Sequence, residues 1–279
     1  MWALLFILSA AISFPAAACA VSFRVAPKRV MQGDPLMVVV ADADIPDIKS
    51  LTFFGKSVGL FLFQGKPTAL IGIDLVHRMG AYTLAAQFRN GDKLQKTITI
   101  VPREKISTPL GIPEKLGGNT KVAQKNLVAL LWQDNTALSR VRTTLPPWWG
   151  SSFALPLKNT AVVDPYGYSR STGSYSIAHK GTDFRAATGT PVFAINNGFV
   201  RLAREFVIYG KTVAIDHGGR VVSFSMHLSE IKVKEGERIA RGQLIGLSGE
   251  SGYALGPHLH LSIRVGGVSI DPMAFFALF

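Results

Sequence analysis

Between Val21 and about Arg103 the chain alternates short apolar runs with breaks rich in Gly, Pro, Asp and Asn. The runs are Val21–Val25, Leu36–Val40, Leu51–Phe54, Val58–Phe63, Ala69–Ile73, Tyr82–Phe88 and Lys96–Val101. The breaks include Gly33-Asp34-Pro35, Gly55-Lys56, Gly65-Lys66-Pro67 and Asn90-Gly91-Asp92. Runs of this length between such turns predict a small Ig-like β-sandwich over 21–103. The pattern then changes period. Leu127, Leu131, Leu138 and Val141 fall at helical spacing behind a capping Asn119 or Thr120, and Pro146-Pro147 closes the stretch. A helix over about 119–143, inside a linker covering 104–150, is expected. From Ser151 to Phe279 strand-like runs return between glycine-rich turns, with no helical stretch, so the fold class is mainly β and this part is an antiparallel β-sheet domain.

The first 23 residues carry no charged side chain. The apolar run from Trp2 to Ile12, then Pro15 and the small-residue stretch AAACA (16–20), predict a signal peptide over 1–20 cleaved after Ala20 or Ala18. The run is short for a span of about 20 residues, which argues against a membrane anchor. Cys19 could carry a lipid, but no Leu stands three residues before it. Export to the periplasm, the cell envelope or the medium is the expectation.

Composition adds limits. With 48% hydrophobic and 17% charged residues, the chain has material for sizeable cores and is not a disordered polymer. One Cys rules out an intramolecular disulfide framework and a Cys-rich zinc site, so any metal must be held by His and carboxylate. The net charge of +12 is uneven: residues 21–150 hold 17 Lys+Arg against 9 Asp+Glu, and residues 151–279 hold 13 against 9. Such an excess can serve general solubility; the sharper reading, for an exported protein, is attraction of the N-terminal part to anionic envelope polymers. Nucleic acid is disfavoured by export and by the lack of an aromatic-basic stripe.

Of the six histidines, only His77 lies outside the C-terminal domain. Three segments carry chemistry: AHKGTDF (178–184), SFSMHLS (223–229) and GPHLHLS (256–262). On a strand, residues two or four apart share a face, so His179 with Asp183, and His258 with His260, can each aim into one cleft. A His–Asp pair plus one further His makes three protein ligands, and a tetrahedral zinc would keep its fourth position open. The remaining imidazoles could act as general base or transition-state stabiliser. Taken singly, HxH, HxxxD or a lone His is an ordinary surface or half-buried pattern.

The C-terminal half resembles the lysostaphin-type zinc endopeptidases of bacterial cell walls, also called β-lytic or glycyl-glycine metallopeptidases. The motifs that carry this are YGYSR (166–170), HKGTDF (179–184), GTPVFAINNGFV (189–200), YGKTVAIDHGG (209–219), MHLS (226–229), VKEGERIARGQLIGLSGESG (233–252), GPHLHLSI (256–263) and IDP (270–272). The resemblance implies one Zn2+ per chain on His179, Asp183 and His260, with His258 and His227 catalytic. It implies hydrolysis of peptide bonds in peptidoglycan cross-links or stems, with His258 favoured as base and His227 as stabiliser. Some relatives lose ligands and act by binding peptidoglycan or activating amidases; here all five residues are present. Two positions depart from the family pattern: Ser225, often Tyr, and Ser262, often Glu. His217, in a VAIDHGG turn, reads as structural, and His77 has no partner motif.

Overall fold

The computed structural model describes residues 21–112, 114, 117–144 and 146–279. The expected leader over 1–20, with Cys19, lies outside the described residues. The chain begins with β1 (Ser22–Ala26), β2 (Val30–Met31), β3 (Pro35–Ala41), β4 (Ile48–Phe53), β5 (Lys56–Ser57), β6 (Phe61–Phe63), β7 (Lys66–Gly72), β8 (Gly80–Phe88) and β9 (Lys93–Val101). They form two sheets, ordered β1-β3-β7-β6 and β2-β9-β8-β4-β5. Leu36, Val38 and Val40 of β3 meet Leu51 and Phe53 of β4 and Leu84 and Ala86 of β8 in a shared core. The alternate residues Met37 of β3 and Leu70 of β7 belong to a second core, built with the C-terminal half. Burial on both faces explains why LMVVV and ALIGI read as unbroken apolar runs instead of alternating ones.

Residues 104–150 are more than a connector. β10 (Ser107–Pro109) lies parallel to β12 (Ser169–Thr172), which pairs with β13 (Tyr175–Ala178) in a three-stranded sheet. Helix α1 (Lys121–Ser139) is capped by Thr120, whose hydroxyl accepts from the Ala123 amide. It stops at Ser139, earlier than its apolar spacing suggests. Thr143 donates its hydroxyl to Asp216, and the Arg220 amide donates to Thr144, so the chain is drawn off the helix axis before the prolines. Trp149 is buried among Phe61, Phe63, Phe153 and Phe279.

The remaining strands are β11 (Val162–Asp164), β14 (Thr182–Arg185), β15 (Pro191–Phe193), β16 (Gly198–Phe206), β17 (Gly210–Gly218), β18 (Val221–Ile231), β19 (Arg238–Ile239), β20 (Leu244–Ser248), β21 (His258–Val265) and β22 (Val268–Ile270). They make one sheet whose main path is β11-β14-β21-β18-β17-β16-β19. A short helix α2 (Pro272–Phe276), not expected from the sequence pattern, follows; Asp271 caps it and Pro272 opens it. Among the described residues no helix is long and apolar enough to cross a membrane.

Candidate active site

The two faces of β21 divide the labour of the domain. Leu259, Leu261, Ile263 and Val265 point into the core with Phe184 and Val213. His258, His260, Ser262 and Arg264 therefore point to the opposite face, where all four line a cleft of about 830 Å³. On the neighbouring strand Asp183 lies directly across from His260, and on the other side His260 faces Met226. Cross-strand partners of this kind stand about 5 Å apart, which fixes Asp183 beside His260.

His179 arrives differently from the same-strand pairing expected of HxxxD. β13 ends at Ala178 and β14 begins at Thr182, so His179 sits in the crossover between the small and the large sheet. Gly181 in that crossover packs directly on the site: a Cβ there would lie 2.3 Å from His260 Nε2 and 2.7 Å from the Leu261 carbonyl. Only glycine lets the chain pass.

The three side chains converge. His179 Nε2 is 3.1 Å from Asp183 Oδ1 and 3.1 Å from His260 Nδ1, and His260 Nδ1 is 2.7 Å from Asp183 Oδ1. Ligand atoms of a tetrahedral ion bound at 2.0–2.1 Å stand roughly 3.3 Å apart, so the set fits one small divalent ion with only a slight opening. All three residues are buried. His179 donates its Nδ1–H to the Pro165 carbonyl at 3.1 Å, which leaves the lone pair on Nε2 facing the other two. Arg170 donates to Asp183 Oδ2 at 2.9 Å and also contacts Asp164, so the second oxygen of this carboxylate is held in place. Burial alone would raise the Asp183 carboxyl; the bonds and charges of His179 and His260 outweigh it and hold the group ionised, well below the usual range. Burial pushes the His260 imidazole down, toward the neutral form a metal needs.

His227 reaches the cleft through a break in strand regularity. Against β17, Ser225 pairs with Val213 but Leu228 pairs with Lys211, so β18 carries one extra residue between them. That residue is His227, with φ of 59°. Strict alternation from Met226, which faces the cleft, would turn His227 away from it. The bulge turns it back, and its amide is satisfied by the Tyr209 carbonyl at 3.0 Å. His227 donates Nδ1–H to Ser251 O at 2.9 Å, and His258 donates Nδ1–H to Gly256 O at 2.8 Å. Each therefore presents an Nε2 lone pair to the cleft, their ring centroids 4.8 Å apart. His258 Nε2 is 3.9 Å from Asp183 Oδ1. Burial, with His258 and His260 nearby, pushes His227 down to about 3, so its resting form is neutral.

The other two histidines do other work. His217 is fully buried, bonded to the Asn197 carbonyl and to Ser223. His77 stacks on Phe54 in the N-terminal sandwich. Ser262, at the position where Glu is often found, donates to the Lys180 carbonyl and braces the crossover. One wall of the cleft was not foreseen. Leu127, Leu131, Asn135 and Ser139, spaced by four on one face of α1, line it opposite the histidines.

A buried two-His, one-carboxylate set that leaves room for a further ligand, flanked by two imidazoles with free lone pairs, is the arrangement of a metal-dependent hydrolase. Comparison with known proteins agrees. Residues 177–272 match Peptidase family M23 and are a domain of that family. Peptidoglycan DD-endopeptidase ShyA of Vibrio cholerae is 43% identical over 95 residues, 34% of this chain and 22% of the relative. DD-carboxypeptidase/endopeptidase Mpg of Neisseria meningitidis is 33% identical over 120 residues, 43% of this chain and 28% of the relative. The match thus spans about a quarter of the length of these curated relatives. A solved structure described as a peptidase M23 from Pseudomonas aeruginosa aligns at a TM-score of 0.58 and 27% identity, covering 91% of this chain and 96% of that one.

Proposed function

We propose that this protein is a zinc-dependent endopeptidase that hydrolyses peptide bonds in bacterial peptidoglycan. The observation that carries the reading is the convergence of His179 Nε2, Asp183 Oδ1 and His260 Nδ1 beneath two imidazoles with free Nε2 atoms. A bound Zn2+ would supply Lewis acidity at the scissile carbonyl and bring the pKa of water to about 7. His258 takes the proton of the attacking water on Nε2 and returns it to the leaving amine. Its tie to Gly256 O holds the ring in the accepting tautomer. His227 presents the same tautomer, so it supports the developing oxyanion only once protonated at Nε2. The closed bonding of Asp183 with Arg170 keeps the carboxylate from turning away during turnover.

Export through residues 1–20 would bring the enzyme to this substrate. The excess positive charge of 21–150 would hold it to anionic envelope polymer, and such binding weakens with salt because exposed charges are screened within about 8 Å at physiological ionic strength.

The test is metal content by elemental analysis alongside digestion of purified peptidoglycan with mass analysis of fragments. His179→Ala, Asp183→Ala and His260→Ala should lose most of the zinc and the activity. His258→Ala and His227→Ala should retain zinc, and turnover should fall about 10²–10⁴-fold. Wild-type protein that binds zinc yet leaves every peptidoglycan intact would replace the enzyme by a binding or amidase-activating envelope protein.

A further inference from the structure

Arg264 extends the row of cleft-facing residues on β21 beyond His258, His260 and Ser262. It has no use in the mechanism above. Its guanidinium lies over the Phe224 ring at 4.7 Å, and Phe224 is fully buried. The Nε atom is buried without a hydrogen-bond partner, and among the described residues no carboxylate pairs with the side chain. Arg170, by contrast, is taken up by two carboxylates. Arg264 cannot shed its proton, so a half-buried, unpaired cation persists here at a standing cost in desolvation. Ser262, two residues away on the same face, turns its hydroxyl to the Lys180 carbonyl and offers no countercharge.

The cleft runs along α1 between two apolar clusters. Leu127 and Leu131 of α1 cluster with Leu110, Ile208 and Tyr253 at one end. At the other, Leu138 packs on Val222 and Phe224, and Arg264 lies directly across from Val222. Lys180, next to His179, faces the same cleft, its ammonium 3.9 Å from the Asp74 carboxylate and 46% of its side chain exposed. From His260 to Arg264 the strand advances about 13 Å, the span of roughly three to four residues of extended peptide.

We propose that Arg264 is a substrate-binding residue that receives a free carboxylate of the peptide, about three to four residues from the bond that is cut. The guanidinium is seated over the Phe224 ring, and its fork matches a carboxylate in two parallel bonds. This rests on the peptidase reading of the same cleft, and it divides substrates into those with a free carboxylate at that distance and those without.

The test uses the full chain loaded with zinc and one synthetic cross-linked stem peptide made in two forms, carboxylates free or amidated. Binding is followed by fluorescence anisotropy and cleavage by mass spectrometry. The wild type should bind the free acid about 10- to 100-fold more tightly than the amide. Arg264→Gln should lose that preference, its acid-to-amide ratio falling to about 1. Arg264→Lys should keep part of it, because charge remains without the fork. A residue that only braces the fold would lower the melting temperature and leave the acid-to-amide ratio unchanged. Equal handling of acid and amide by the wild type, or a preference that survives in Arg264→Gln, overturns the proposal whether or not cleavage occurs. Acid-selective, Arg264-dependent binding with no cleavage of either form would sustain the carboxylate site and remove the peptidase reading.

Discussion

At the scale of single residues, the site depends on small departures from regular structure as much as on its ligands. The shared face of HxH was legible, because alternation on a strand assigns His258 and His260 to one side. The cleft-facing turn of His227 was not, since it depends on one extra residue in β18 that no local signal announces. Gly181 is a similar case: its sequence neighbours mark the motif, but only the tertiary packing shows His260 pressed against it. Gly181→Ala should displace the His260 ring and weaken zinc affinity at least tenfold, measured by chelator competition. Wild-type affinity in that variant would mean the crowding is relieved elsewhere. His217 gives a second expectation. Burial holds its pKa down to about 4, against 6.5 when unfolded. Between those values the unfolded chain binds the proton and the folded one does not, so stability falls as pH drops through that window. The loss should reach about 3 kcal/mol. His217→Gln should flatten this slope in denaturant titrations at pH 7 and pH 4.5; parallel losses in both proteins would clear His217 of the effect.

At the scale of elements, α1 links packing to the site. Its existence was readable from the leucine spacing and a capping Asn119 or Thr120, but its place over the cleft was not. The strands it covers lie some eighty residues further along the chain, and the spacing of Leu127 and Leu131 says only that one face is apolar. Buried Asp134 carries the connection: its carboxylate accepts from the Ile208 amide at 2.8 Å and the Tyr209 amide at 3.4 Å. The Tyr209 carbonyl accepts from His227 N, and the Tyr209 hydroxyl donates to Asn135 on the same helix. Removing the carboxylate leaves buried amides unpaired. Asp134→Ala should therefore cost about 1–3 kcal/mol in thermal or chemical denaturation, with a loss of turnover from a loosened His227. Asp134→Asn keeps an acceptor and should lose less. An Asp134→Ala protein as stable and active as the wild type would show that α1 only lies against the cleft.

At the scale of the whole molecule, the N-terminal sandwich and the sheet that bears the site share structure. The unbroken apolar runs of β3 and β7 were the trace of this in the sequence, where they read simply as strands of a sandwich. Their second buried face became meaningful only once Met37 and Leu70 were seen in the core of the C-terminal half. A polar joint completes the contact. Arg103, at the end of the sandwich, donates Nε to Gln32 O at 2.8 Å, Nη2 to Asp34 at 2.7 Å and Nη1 to Asp271 at 2.9 Å. Asp271 in turn caps α2 and donates its amide to the Gly33 carbonyl at 2.7 Å. Asp34, its side chain only 3% exposed, has burial pulling its pKa up and Arg103 opposing that. A buried carboxylate that loses its cation costs about 3 kcal/mol or more, or roughly 5–10 °C in a domain assembly of this size. If the two halves fold as one unit, the wild type should melt in a single calorimetric transition, and Arg103→Met should lower that whole transition by this amount. Removing the stranded charge as well, in Arg103→Met with Asp34→Asn, should recover much of the loss. Two separate wild-type transitions, with Arg103→Met moving only one of them, would mean that the sandwich is docked on the peptidase domain without being part of its folding unit.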